Sequence, residues 1–474
     1  MKNIFLKNTL IILITSLLIK LLGLLNKIIL TRSLGEQGIG LYSLILPTIM
    51  LFISLSCFSL NIAMITVTAK NKSKKIIKTG LILGLITTSI SSIILLLILN
   101  KLSFDLLKQP DTYYPIIYSI PLFYLTTISS ILRGYLTGIE KMSTTSIANL
   151  LEQIARIIFT IIIFVFIKDE NLVTYVIYAI IAMSVGELCS IIYSIINIRK
   201  INYDNSIDNN KISSDLLQIA IPSTLTSLIS NLTFFLEPII FTFILNKLLF
   251  NSNDILLKYS EVTVYSLPLI TLFSFVSMSI STVIMPKIST SNDNTIKEYI
   301  NKLIILCLLP AILVSTVLFN YCEEITLLLY NTKIGTTIVK KYVWYFMPFY
   351  LISPFNTILL STNQSKKAFL VSLIVHLVKL ISLFILPIIT NDALIISYLI
   401  TYLLTFILIF IILLRKYKFK IPFNHLITLL VFAIIINCFS IIIKQLNIHY
   451  IIQIMIISLF FVLIIFPFIK RNYI

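Results

Sequence analysis

Two lysines seven residues apart, Lys20 and Lys27, stand inside an apolar run near the start of the chain, with Gly23 between them. A cation at the centre of a bilayer costs about 2.5–3.5 kcal/mol or more, so such residues face a bundle interior or a watery cavity. Seven residues is about two helical turns, which puts both ammonium groups on one face. A helix that turns two cations inward is suited to receiving an anion. Lys20 is too deep for easy snorkelling, whereas Lys27 lies nearer the helix end and has that alternative.

Other polar groups interrupt the apolar runs. Glu152 and Arg156 are spaced i, i+4, so they can pair on one helix face, either as a self-neutralising structural pair or as cavity groups. Glu187 is a further intramembrane acid. Arg133 precedes Gly134 and Gly138, a small-xxx-small face that lets helices approach closely. Arg133 itself is a candidate for substrate contact or for snorkelling to the interface. Glu237 is followed by Pro238, which removes a backbone donor, kinks a helix and frees carbonyls. Glu237 is therefore a candidate for ion or proton coupling. His376 and Lys379 lie one turn apart and are candidates for lining a cavity or for bonding between helices.

Several other chemistries are not signalled. Gly35-Glu36-Gln37-Gly38-Ile39-Gly40 follows a membrane helix rather than a strand, so it reads as a tight turn and not as a dinucleotide loop. The five cysteines form no CxxC pair and the three histidines lack ligand spacing, so no disulfide framework, metal site or cofactor is implied. The residues give no catalytic constellation, and the chain reads as a non-enzyme.

These groups must be positioned by membrane helices. The chain is 58% hydrophobic and 12% charged, with a mean hydropathy of +1.02, outside the range of soluble domains. Lys2 and Lys7 precede the first apolar run as in a signal peptide, but its length and the lack of a cleavage site predict a retained span. Apolar segments of roughly 20 residues predict about 14 spans, at 8–31, 41–69, 76–99, 113–138, 144–167, 172–197, 214–248, 261–284, 299–320, 335–360, 366–389, 393–414, 423–443 and 449–469. Alternate loops are rich in Lys and Arg, notably Lys70–Lys78, Arg199–Lys211, Lys366–Lys367, Arg415–Lys420 and Lys470–Arg471. The positive-inside rule then places both termini in the cytoplasm. It also explains the net charge of +18 by anionic lipid rather than nucleic acid. The polar stretch at 201–213 predicts a cytoplasmic linker between an N-terminal six-helix bundle, 1–200, and a second one, 214–420, with two further helices in 421–474.

Four segments carry a family resemblance: KLLGLLNKIILTRSLGEQGIGLYSLILP (Lys20–Pro47), ILRGYLTGIEKMSTTSIANLLEQIARI (Ile131–Ile157), NLTFFLEPII (Asn231–Ile240) and KYSEVTVYSLPLITLFSFVSMSISTVIMPKIS (Lys258–Ser289). In order and spacing they resemble the stage V sporulation protein B group. These are polysaccharide-type transporters of the multidrug/oligosaccharidyl-lipid/polysaccharide exporter superfamily. The resemblance implies an all-α fold of two six-helix bundles around a central cavity, plus two C-terminal helices, in the bacterial cytoplasmic membrane. It implies flipping of an undecaprenyl-pyrophosphate-linked precursor such as lipid II, for peptidoglycan or spore cortex. The implied partners are the lipid-linked glycan, membrane lipids and cell-wall synthesis proteins. Lys20 and Lys27 match positions where the group uses basic cavity residues, often arginine. Lysine is a point charge without the bidentate fork. The group's Gly-Leu-Pro in the second span is Ser59-Leu60-Asn61 here, which puts the bend of that helix in question. Competing classes are another lipid-linked glycan exporter, a cation-coupled drug exporter, a membrane glycosyltransferase and a non-transporting scaffold.

Overall fold

Why apolar runs become helices follows from the solvent: in hydrocarbon every backbone polar group must be satisfied within the segment, and a helix does so. The computed structural model describes residues 2–71, 73–166, 171–201, 209–272, 274–289, 292–362, 364–420, 422–446 and 448–473. Among them every regular element is helical. Lys72, Lys168 and residues 202–208 of the predicted linker lie outside the described residues. The chain forms two compact units, one ending at Ser260 and one beginning at Glu261.

The first unit runs α1 (Lys2–Cys57), α2 (Leu60–Lys70), α3 (Lys75–Asn100), α4 (Tyr113–Tyr118), α5 (Ile120–Gly138), α6 (Met142–Phe166), α7 (Leu172–Arg199), α8 (Asn209–Lys247) and α9 (Ser252–Ser260). Two irregularities shape it. Gly35, with φ 66°, interrupts α1 at the predicted tight turn. Phe58 and Ser59, both at φ 45°, then break the chain between α1 and α2. The break keeps its bonds through Thr87, whose hydroxyl donates to the Ser56 carbonyl at 2.7 Å. The core lies between α2, α3 and α5: Leu60, Ala63, Met64 and Val67, at helical spacing, meet Ile131, Leu132, Tyr135 and Leu136. The helix predicted to open the second bundle, α8, packs on α1, α2 and α3. Asn231 on α8 donates to Ser54 at 2.7 Å. α8 is continuous through Pro222 and Pro238.

The second unit begins with a π-helical turn, Glu261–Ser266, followed by α10 (Leu267–Ile270), α11 (Ser274–Ser289), α12 (Asp293–Tyr330), α13 (Thr336–Tyr342), α14 (Phe349–Ser361), α15 (Ser365–Ile389), α16 (Ala393–Tyr417), α17 (Phe423–Lys444) and α18 (Tyr450–Tyr473). Ile300, Leu303, Ile304 and Cys307 of α12 pack on Leu351, Phe355, Ile358 and Leu359 of α14. A second patch of α12, Ile305, Leu309 and Ile312, holds α17 and α18. Phe439 and Phe460 stack there at 3.8 Å. Lipid tails are as apolar as these side chains, so interlocking shape and dispersion, rather than exclusion of water, hold such interfaces.

Among the described residues, 11 helical stretches are long and apolar enough to cross a membrane, or up to 12 if the pair Thr336–Phe346 and Phe349–Ser361, bent by 43°, counts as one span. The predicted count of 14 is thus not reached by length and apolarity. The first two predicted spans, 8–31 and 41–69, share one stretch, Leu18–Ala69, in which the chain turns at Gly35 and breaks again at Phe58 and Ser59. The predicted span 261–284 is cut into a π-helical turn, the short α10 and α11.

Candidate functional site

On α1 the packed face and the basic face are distinct. Asn26, Leu30, Thr31 and Leu34 are buried. Asn26 accepts from Thr160 of α6 at 3.4 Å. Lys20 is exposed and Lys27 half-buried. A side chain built on Gly23, between them, would meet nothing within 4 Å. The basic stripe therefore borders open space. Gly23 widens it, since any larger residue would project into the gap between the two lysines.

The other basic candidate, Arg133, is engaged by acids. Its guanidinium donates to Asn149 at 2.5 Å and Glu152 at 2.8 Å on α6, and to Glu187 at 3.3 Å on α7. Glu152 also receives Arg156, at 2.7 Å, through the predicted i, i+4 pair. Two cations and two anions thus form one neutral cluster that ties α5, α6 and α7 together. Gly186 makes the cluster possible, because a Cβ there would lie 2.7 Å from the Glu152 carbonyl. The sequence marked Glu187 only as an intramembrane acid and did not mark Asn149, since nothing in their spacing ties them to Arg133, 54 and 16 residues away. On the same helix as Arg133, Gly134 and Gly138 bring α5 against α2. A Cβ at Gly134 would meet the Asn61 carbonyl at 2.8 Å, and one at Gly138 would meet Thr68 at 2.7 Å.

Glu237 is fully buried and accepts from the Tyr259 hydroxyl of α9 at 3.2 Å. Pro238, next to it, leaves the carbonyl of Phe234 without its usual helical donor. In the second unit His376 and Lys379 both turn toward α16. Lys379 is buried, its ammonium 3.8 Å from the centre of the Tyr398 ring. His376 lines a cavity between α14, α15 and α16.

The chain is thus polytopic and all-α among the described residues, with interrupted helices and a basic stripe on α1. The chain is similar to a structure described as lipid II flippase MurJ in an inward closed conformation: TM-score 0.75, 16% identity, 98% of this chain and 99% of that one. It is also similar to an inward-facing multidrug resistance MATE family transporter of the MOP superfamily, with a TM-score of 0.64, 15% identity, 84% of this chain and 94% of that one. At these identities the likeness concerns the fold. The chain belongs to the polysaccharide biosynthesis protein family, whose model matches residues 5–249. Among curated proteins it is similar to stage V sporulation protein B of Bacillus subtilis (strain 168), 28% identical over 405 residues, 81% of this chain and 78% of that protein. Sporulation protein YkvU of the same organism is 24% identical over 409 residues, 82% of this chain and 89% of that protein.

Proposed function

We propose that this protein is a flippase that carries an undecaprenyl-pyrophosphate-linked cell-wall precursor, lipid II, across the cytoplasmic membrane by alternating access. The carrying observation is the stripe of Lys20, Gly23 and Lys27 bordering open space. Two ammonium groups offset the charge of a diphosphate that would otherwise enter hydrocarbon bare. They hold it as point charges, which suits a head group that must be released on the other side. Family membership and the likeness in fold to a lipid II flippase support the reading. Flipping makes and breaks no covalent bond, so the protein needs no catalytic group. Both termini lie in the cytoplasm in this reading, and the membrane potential, worth about 2.3 kcal/mol per charge per 100 mV, acts on the charged site. Coupling to a cation or proton falls on Glu237. Arg133, engaged by Glu152 and Glu187, holds the bundle rather than the cargo. Cell-wall synthesis proteins are the proposed consumers of the flipped product.

The test is surface exposure of lipid II in bacteria depleted of their own flippases and expressing this chain, read with an external colicin-type probe that cleaves only flipped substrate. Wild type should restore cleavage and Lys20→Ala should abolish it at equal membrane expression. Cleavage that survives Lys20→Ala would remove the basic stripe from the mechanism. The likeness in fold to MATE transporters favours drug export as the second reading. A basic stripe repels the cationic drugs of that class, and unchanged drug sensitivity on expression would exclude it.

A further inference from the structure

The second unit holds a half-open cavity of about 310 Å³ lined by α14, α15 and α16. Its lining runs from Leu360 and Ala368, at one end of the three helices, to Phe349, Thr401 and Tyr402 deep inside. That end is common to all three: α14 finishes there, α15 starts there, and Lys416 near the end of α16 donates to the Thr362 carbonyl at 3.4 Å. A file of polar side chains follows the shaft inward, from Asn356 and Ser372 to His376 and Thr405. At 1.5 Å per residue, His376 lies about 16 Å from the start of α15, near the middle of a bilayer. The floor is aromatic, Phe349 and Tyr402 meeting at 4.6 Å between ring centres. Tyr398, which holds Lys379, is the next ring along, 6.0 Å from Tyr402.

The three helices that line this shaft carry charges of one sign. α14, α15 and α16 carry Lys366, Lys367, Lys379, Arg415 and Lys416 and no carboxylate. Lys366, Lys367 and Arg415 are exposed at the mouth and, among the described residues, form no ion pair. A cation entering here would meet like charge and no anionic ligand in a medium of low dielectric. A hydrocarbon chain would bury Asn356 and Ser372 against methylene groups. Water would satisfy both residues, and at about 30 Å³ per molecule the cavity has room for several.

We propose that this shaft is an aqueous inlet that admits small anions, of the chloride or phosphate type, from the lysine-rich mouth to His376. Asn356, Ser372 and His376 supply hydrogen-bond donors along it, and the mouth concentrates anions as a charged cleft does. The inlet lies wholly within the second unit and does not depend on what the protein carries.

The test is thiol labelling of Ser372→Cys in the full-length protein in sealed vesicles, read by mass spectrometry at position 372 so that the five native cysteines can stay. A sulfonate-bearing and a trimethylammonium-bearing thiosulfonate reagent are added to either side, each rate being scaled to that of a free thiol. From the side of Lys366 and Lys367 the sulfonate reagent should react faster by about 10-fold, the lower range of focusing by a charged cleft. The double variant Lys366→Gln, Lys367→Gln should reduce that preference, and Ile381→Cys on the outer face of α15 should stay unlabelled. Thr405→Cys repeats the measurement from α16 if Ser372→Cys does not fold. Labelling by neither reagent would overturn the inlet in favour of a dry or chain-filled cleft. Equal or cation-favoured rates would overturn its anion selectivity, and labelling only from the opposite side would overturn its direction.

Discussion

Lys20 and Glu152 are both intramembrane charges, yet they differ in what their loss should do. Glu152 holds Arg133 at 2.8 Å and Arg156 at 2.7 Å, so Glu152→Ala removes this ion pair from the half-buried Arg156 and leaves Arg133 with Asn149 and Glu187. Breaking a fully buried pair costs about 3–5 kcal/mol, and this half-buried one less. A clear fall in the unfolding temperature of the purified protein in detergent is the expected result, and an unchanged midpoint would mean that the cluster contributes nothing to stability. Lys20 borders open space, and Lys20→Ala should leave that midpoint within error while removing transport. Hydropathy alone exposed both residues in the sequence, because a charge in an apolar run stands out. It did not separate them, since the partners that neutralise Arg133 come from other helices and no spacing rule reaches them.

At the scale of elements, the breaks decide which faces meet. The turn at Gly35 was legible because only glycine adopts its φ of 66° without cost. The break at Phe58 and Ser59 was not, because neither residue type signals a left-handed backbone. Such a conformation costs about 1–2 kcal/mol for a residue with a Cβ. Ser59→Gly should therefore raise thermal stability, and Ser59→Val should lower it. If both left the unfolding midpoint unchanged, the strain at this joint would be excluded. Gly134 is a stricter position. A Cβ there would fall 2.8 Å from the Asn61 carbonyl and 2.9 Å from Met64, so Gly134→Val should force α5 away from α2. The expected outcome is loss of folded protein, seen as aggregation in size-exclusion chromatography. On α15 the sequence singled out His376 with Lys379, whereas Ser372, Asn356 and Thr405 join His376 in one lining only through the packing of three helices.

For the whole molecule, the apolar runs announced an all-α membrane protein, and alternating loop charge supplied an orientation. Reporter fusions test that orientation. A fusion after Lys78 or Lys367 should report the cytoplasm, and one after Lys108 or Lys333 the opposite side; a reversed pattern would overturn the assignment of both termini. The span count was less legible: the sequence pattern splits the first run at Gly35 and keeps 261–284 whole, whereas by length and apolarity Leu18–Ala69 is one stretch and 261–284 is broken into short helices. The neutral cluster of α5, α6 and α7 also bears on how the protein is made. α6 enters the membrane with Arg156 already matched to Glu152, but α5 brings Arg133 and α7 brings Glu187 with no counter-charge of their own. Neither can be released into lipid alone without stranding a charge. Leaving the translocation channel together would spare α5, α6 and α7 that cost, so the cluster favours their release as one unit.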